Sequence, residues 1–305
     1  MPELPDLTVV ADALHAALAG RTVRSAEAPG PLAVRGTPAE LQALTAQRLV
    51  EVRRRGKFLL IALDHDAIAC NPMLTGRFQL ALPGDKRPPK TAVILGFGTR
   101  GAAPVDGKAW TRGAAWMPPD DAPVEVRYRD PTQMGKIYLQ PADADRPVPG
   151  LGEPDQGPDA DDPALTLDVW RERIRRHPGE LKNLLRNQAF VAGIGNAYSD
   201  EILWEAGINP YTAKTKLSEE ELRGLYRAAH TVMKWATPRV RERMIKGDVL
   251  DYEERRDFMR VHRLGGKPCP RCGTAISEIT ANQRVISFCR QCQPGGPSGA
   301  TLAGR

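Results

Sequence analysis

The sequence reads as an α+β protein of several domains: an N-terminal β-sandwich with a leading helix, a helical domain, and a small four-cysteine module. Three observations predict this. Short β-rich runs separated by turn residues fill the first part of the chain. The hydrophobic period then changes to that of a helix. Near the end, four cysteines stand as Cys269-x2-Cys272-x16-Cys289-x2-Cys292. At 305 residues, the chain is long enough for two or three packed units.

Leu7, Val10, Leu14 and Leu18 recur at helical spacing, so a helix starts just after Pro5. Strands are expected at Arg48–Val52, Phe58–Leu63, Ala67–Cys70, Thr91–Phe97, Val124–Tyr128 and Lys136–Leu139, closing a first domain over residues 1–142. Residues 143–163 are rich in Pro, Asp and Gly and read as an acidic linker. Helices follow at Leu165–Arg176, Leu181–Gln188 and Asn196–Ala206, the last capped by Gly207 with Pro210 beyond. Ser218 and Glu221 form a capping box for a further helix, whose buried stripe is Leu222, Leu225, Tyr226, Ala229, Val232 and Met233. The helical domain spans 164–258, the cysteine module 259–293, and a Gly/Pro/Ser-rich tail expected to be disordered 294–305.

The net charge of +6 is unevenly placed. Residues 1–163 hold 19 Lys/Arg against 21 Asp/Glu, a net of −2, and residues 164–305 hold 24 against 16, a net of +8. The excess in the C-terminal half suggests a polyanionic partner. No apolar run approaches the ~20 residues of a membrane span, and the N-terminus lacks a signal-peptide pattern. A soluble cytoplasmic protein is the expectation. Paired C-x2-C motifs place two thiolate pairs at hairpin knuckles, which suits one tetrahedral, structural zinc ion. Disulfides compete, but nothing in the sequence points to an oxidising compartment. Cys70, in an apolar run, reads as a core residue.

The opening Met1-Pro2-Glu3-Leu4-Pro5-Asp6 carries chemistry. Methionine before proline is normally trimmed, which would leave the secondary amine of Pro2 at the terminus. An α-amino group with pKa near ~7.7–8.0 is partly an uncharged nucleophile at neutral pH. Glu3 beside it can shuttle a proton, so the two make a compact unit for covalent catalysis. The positive end of the following helix disfavours the protonated amine. A frayed terminus without a role is the competing reading. Further along, Gly193-Ile194-Gly195-Asn196 joins two helices, and such a turn lets backbone approach an anion at a helix terminus.

Three separated features together resemble the formamidopyrimidine-DNA glycosylase/endonuclease VIII family. They are Pro2-Glu3-Leu4-Pro5, the segment Val191-Ala192-Gly193-Ile194-Gly195-Asn196, and the cysteine module ending Cys289-Arg290-Gln291-Cys292-Gln293. Their order and spacing match from Pro2 to Gln293. The resemblance implies a helix–two-turn–helix domain in the middle of the chain and a C-terminal zinc finger. It also implies a bifunctional DNA glycosylase/AP lyase of base excision repair, acting on damaged double-stranded DNA as a nucleoid-associated monomer. Pro2 would attack C1′ of the damaged nucleotide, release the base and leave a Schiff base. Glu3 would protonate the ring oxygen or relay protons, and β,δ-elimination would cut the strand. The target base must leave the stack to be reached.

The same resemblance assigns DNA contacts. Lys57 matches a lysine that contacts the backbone near the lesion, and Asn196 matches the asparagine of the helix–two-turn–helix. Arg284, five residues before Cys289, matches a finger arginine at the flipped nucleotide's phosphates. Guanidinium suits that task through its bidentate fork. Lys182 aligns with a lysine near the active site and Glu201 with an acidic position. Leu74, in Met73-Leu74-Thr75-Gly76, is the candidate wedge for the gap left by the flipped base, with a core leucine as the alternative.

Several positions depart from the family. Asp6 stands in place of a glutamate, and Asn71 in place of a histidine. Asp130-Pro131-Thr132-Gln133-Met134-Gly135 lacks two arginines and a phenylalanine, although Met134 could fill volume. Residues 238–260 lack a Gly-rich loop typical of purine-specific members. These departures bear on the choice of base more than on the reaction. Two other functions compete: a non-catalytic damaged-DNA-binding paralogue, against which Pro2 and Glu3 argue, and an RNA-directed zinc ribbon.

Overall fold

The computed structural model describes residues 1–101, 108–245, 256–281 and 284–295. The chain divides into two compact units, Met1–Leu151 with Thr237–Arg255, and Gly152–Ala236 with Arg256–Arg305.

The first unit opens with helix α1 (Leu4–Leu18), for which Glu3 is the N-cap. Asp6 at the third helical position reaches back to accept the Glu3 N–H at 2.8 Å, and the pair forms a capping box. Leu7, Val10, Leu14 and Leu18 are all buried, as their spacing requires. Two sheets follow. One orders β1 (Arg21–Glu27), β7 (Thr91–Arg100), β8 (Val124–Arg129) and β6 (Arg77–Ala81). The other orders β2 (Val34–Arg35), β9 (Lys136–Gln140), β5 (Ala67–Asn71), β4 (Phe58–Leu63) and β3 (Leu49–Arg55). Helix α2 (Pro38–Ala43) follows β2. Neighbours are antiparallel except β2 and β9. Ile61, Ile68 and Ile137 of one sheet share a cavity of about 30 Å³ with Phe78, Val93, Leu95 and Val126 of the other. The sheets therefore pack face to face as a sandwich.

Strands β1, β2 and β6 have no counterpart among the runs expected from sequence. β1 carries charge along its length and pairs with β7 through register shifts. Its first residue, Arg21, is wholly buried, with its guanidinium on the carbonyls of Ala17, Gly98, Pro119 and Ala122. Burial pushes its pKa down, and the Arg100 charge acts in the same direction. β2 is two residues long, and β6 starts with an arginine one residue after a glycine.

The Pro/Asp/Gly-rich stretch at 143–163 is packed without any periodic pattern. Val148 joins a cluster with Phe58 and Ala69 in the first unit. In the second unit, Ala192 donates to the Pro158 carbonyl at 2.8 Å and Ala160 donates to the Ala192 carbonyl at 3.1 Å.

The second unit holds α3 (Leu167–Arg176), α4 (Leu181–Arg186), α5 (Asn196–Ala206) and most of α6 (Glu219–Ile245). Gly207 ends α5 at φ 71°, the left-handed conformation that glycine adopts without strain. Ser218 and Glu221 exchange the capping-box bonds at 3.2 and 2.8 Å. Helix α6 runs 27 residues and passes through Pro238, so its last turns, from Thr237, belong to the first unit. There the Trp116 indole donates to the Met244 carbonyl at 3.1 Å, and Arg241 pairs with Asp12 at 3.3 Å. A hairpin of β10 (Ser277–Ala281) and β11 (Arg284–Phe288) completes the second unit. Among the described residues, no helix is long and apolar enough to cross a membrane. Most of the tail, 296–305, and much of the 238–260 stretch, at 246–255, lie outside the described residues.

Candidate active-site and DNA-contact residues

Pro2 is buried directly ahead of the N-cap of α1, and the Glu3 side chain beside it is buried too. The helix onset expected just after Pro5 comes two residues earlier, at Leu4, with Pro5 in the first turn, where its missing N–H costs nothing. The positive end of α1 thus lies at the Pro2–Glu3 pair. Asp6, one methylene shorter than glutamate, is occupied as the capping partner of Glu3.

Lys57 lies in the two-residue turn joining β3 and β4, after Gly56 at φ 56°. Primed hairpin turns require that backbone conformation. Leu74 is 50 % exposed, so it is not a core leucine. It follows Met73, held at φ 49° with its N–H on Asn71 Oδ1 at 3.1 Å. A second loop has the same form. Gln133 sits at φ 55° and Met134 after it is exposed.

Asp130, wholly buried, joins these loops. Its Oδ1 accepts the Thr75 hydroxyl at 2.5 Å and its Oδ2 accepts the Gly135 N–H at 2.6 Å. Beneath them lies the Tyr128 hydroxyl, whose pKa burial pushes up. A Cβ on Gly76 or Gly135 would fall 2.1 or 1.8 Å from that oxygen, so both positions require glycine. The sequence offered no sign of this arrangement beyond the two glycines.

In the second unit, Asn196 is the first residue of α5, and Gly195 is the N-cap. Its Nδ2 donates to the Val285 carbonyl at 2.8 Å, while its buried Oδ1 has no hydrogen-bond partner among the described residues. Arg284, next to Val285 at the start of β11, is exposed. The Lys182 ammonium is buried, 2.5 Å from Asp200 Oδ1 and 2.8 Å from the Asn196 carbonyl. Glu201 is fully buried and accepts the backbone N–H groups of Arg260, Val261 and His262 at 3.1, 2.9 and 3.0 Å. Asp200 and His262 were not singled out by sequence, because each needs the other's position to acquire meaning.

The four cysteine sulfurs lie within 4.8 Å of one another. Cys269 and Cys292 are 3.9 Å apart and Cys272 and Cys289 3.4 Å, too far for a disulfide at ~2.05 Å. A tetrahedral zinc with Zn–S bonds of ~2.3 Å sets its sulfurs about 3.8 Å apart, so the residues fit that ion. Trp204 adds an indole N–H at 3.4 Å from Cys269 Sγ. Arg260 and Arg271 stack on the Trp204 ring at 4.6 and 4.3 Å. Gln293, wholly buried, accepts the Cys289 N–H and donates to the Ile208 carbonyl, each at 2.9 Å.

Three family models match the chain. The formamidopyrimidine-DNA glycosylase N-terminal domain covers residues 1–137, and the H2TH domain of the same family covers 156–244. The zinc finger found in FPG and IleRS covers 266–295. The formamidopyrimidine-DNA glycosylase of Pelotomaculum thermopropionicum is 30% identical over 301 residues, spanning 96% of this chain and 99% of the relative. The chain belongs to the formamidopyrimidine-DNA glycosylase family. A second member, from Heliobacterium modesticaldum, is 30% identical over 96% of this chain and 100% of its own length. The solved MutM (Fpg) protein of Thermus thermophilus superposes with a TM-score of 0.75 at 27% identity, covering 97% of this chain and 100% of that one. The Lactococcus lactis Fpg, solved in complex with abasic-site DNA, shares the fold with a TM-score of 0.80 at 24% identity, over 96% and 100% of the two chains. The finger of this formamidopyrimidine-DNA glycosylase relative holds a structural zinc ion on Cys269, Cys272, Cys289 and Cys292.

Proposed function

We propose that this member of the formamidopyrimidine-DNA glycosylase family works as a bifunctional DNA glycosylase and AP lyase through the amine of Pro2. The reading rests on one observation, the buried Pro2 set directly before the buried Glu3 that caps α1. Once Met1 is removed, the Pro2 nitrogen attacks C1′ of a damaged nucleotide while the bond from C1′ to the base breaks. Glu3 gives a proton to the ring oxygen, the sugar opens, and an iminium joins Pro2 to C1′. Loss of the 3′ and then the 5′ phosphate by β- and δ-elimination frees the strand ends, and water releases the enzyme. Lys57, Asn196 and Arg284 hold phosphates of the substrate, Leu74 fills the space left by the flipped base, and Lys182 acts from beneath Asn196. The net of +8 over residues 164–305 supports a DNA partner. The protein acts as a monomer on damaged duplex DNA in the cytoplasm, at the nucleoid.

Borohydride reduction on abasic duplex DNA tests the chemistry. Zinc-loaded protein whose N-terminus is shown by mass spectrometry to be Pro2 should be trapped covalently, with the DNA adduct mapping to Pro2. Binding without any trapped species would leave only a damaged-DNA-binding protein. A panel of duplexes carrying oxidised purines, oxidised pyrimidines and bulkier lesions, opposite each base, then gives the damage range.

A further inference from the structure

Three buried ionisable groups of the second unit form a chain that ends on Asn196. His262 Nδ1 lies 2.7 Å from Asp200 Oδ2. A carboxylate only accepts, so that ring nitrogen carries the hydrogen. The other Asp200 oxygen is 2.5 Å from the Lys182 ammonium, which in turn donates to the Asn196 carbonyl at 2.8 Å. All three side chains are nearly sealed from solvent, at 2 % for Lys182, 1 % for Asp200 and 6 % for His262. Asn196 then reaches across to the Val285 carbonyl, one residue from Arg284. The same region is tied to β11 a second time, where Arg263 donates its N–H to Ser287 Oγ at 2.9 Å.

A buried ion pair is a poor device for stability, because well-packed apolar groups of similar volume hold helices together about as well. It is a good device for fixing one donor at one place. Among the described residues the Asn196 side chain is bonded through its Nδ2 alone, to Val285, and its backbone carbonyl is held by Lys182. We propose that Asp200 and His262 are positioning residues that, through Lys182, set Asn196 and the Arg284 strand as one preformed pair of phosphate contacts. The proposal rests on the reading of Asn196 and Arg284 as phosphate contacts. Neither Asp200 nor His262 touches DNA in this scheme.

The test measures the affinity of the full-length, zinc-loaded protein for a duplex carrying a tetrahydrofuran abasic analogue. His262→Phe and Asp200→Asn should each weaken binding by about tenfold, in the range of coupling through residues that do not touch the ligand. In an Asn196→Ala background, His262→Phe should change affinity by less than about twofold, because the element it positions is gone. Equal losses in both backgrounds would overturn the proposal and make His262 a general structural residue. No loss in Asn196→Ala alone would instead overturn the reading beneath it, and the proposal with it. Should His262→Phe fail to fold, His262→Asn and His262→Gln replace it. Asn offers an amide where Nδ1 stood and should recover most of the affinity, whereas Gln, whose amide sits near Nε2, should not. Equal affinities for those two variants would also overturn the proposal. Zinc content and thermal midpoint are measured on every variant.

Discussion

The indole N–H of Trp204 on α5 points at Cys269 Sγ, 3.4 Å away, so a zinc-ligating sulfur takes a hydrogen bond from outside the finger. Partners of this kind orient metal ligands and typically change metal affinity by about 10- to 100-fold. Trp204→Phe keeps an aromatic face for Arg260 and Arg271 and removes the donor. It should release zinc to a chromogenic chelator faster than the parent protein. An unchanged release rate would mean that the bond does not act on the metal site.

Complete removal of zinc should have a larger effect, because the hairpin carrying Arg284 is anchored by Cys289 at its end. Metal-binding energy in such modules is folding energy. Cys272→Ser or prolonged chelation should abolish binding to abasic duplex while leaving the thermal transition of the first unit in place. Calorimetry and a DNA titration on the same sample check both halves of this expectation.

The Asp130 carboxylate couples the Leu74 and Met134 loops, so the tip and its anchor should separate by mutation. Leu74→Ala removes an exposed side chain and should cost less than about 0.5 kcal/mol of stability. Its single-turnover rate of base release should nevertheless fall by about tenfold or more, since unstacking a base step costs a few kcal/mol. Thr75→Val breaks the bond to Asp130 and should cost about 1 kcal/mol in thermal unfolding. Loss of activity in Leu74→Ala only in proportion to lost stability would refute the wedge.

Glu3 caps α1 and is proposed to transfer a proton, and Glu3→Gln separates the two roles. Base release should drop by about 10²–10⁴-fold, the usual contribution of a general acid–base group. Stability should change by no more than about 1 kcal/mol, the scale of a cap. Kinetics on a modified-base duplex, set beside thermal unfolding, distinguish the outcomes.

Cys70 lines the sandwich cavity, and burial pushes its thiol well above the usual range. It should therefore stay protonated and unmodified by iodoacetamide in the native protein, and react only on unfolding. Peptide mass spectrometry before and after denaturant reads this directly. Labelling of native protein at Cys70 would show that the sandwich opens locally.

What the sequence made legible was whatever repeats locally. The α1 stripe, the Gly207 cap, the Ser218–Glu221 box and the paired cysteines each sit within a few residues of their partners, so spacing alone reveals them. The strands β1 and β6 escaped because both begin with an arginine, and Arg21 finds partners far along the chain, at Gly98, Pro119 and Ala122. Helix α6 ran on through Pro238 because its last turns are held by tertiary bonds, which outweigh the donor that proline lacks. Among the candidate functional residues, Pro2, Glu3, Asn196 and Arg284 were visible as motif positions. Asp130, Asp200 and His262 were not, since a buried carboxylate is defined by what folds around it rather than by its neighbours in sequence.

The path of α6 has a consequence for how the molecule is made. The first unit includes Met244 and Arg241, which satisfy the Trp116 indole and the Asp12 carboxylate. On the ribosome, the sandwich emerges long before these partners exist, and it stays unfinished until the far end of α6 has left the exit tunnel. A chain cut after Leu151 would be a sandwich missing its last piece, so dissecting this protein into working halves calls for rejoining its ends in a new order rather than a single cut.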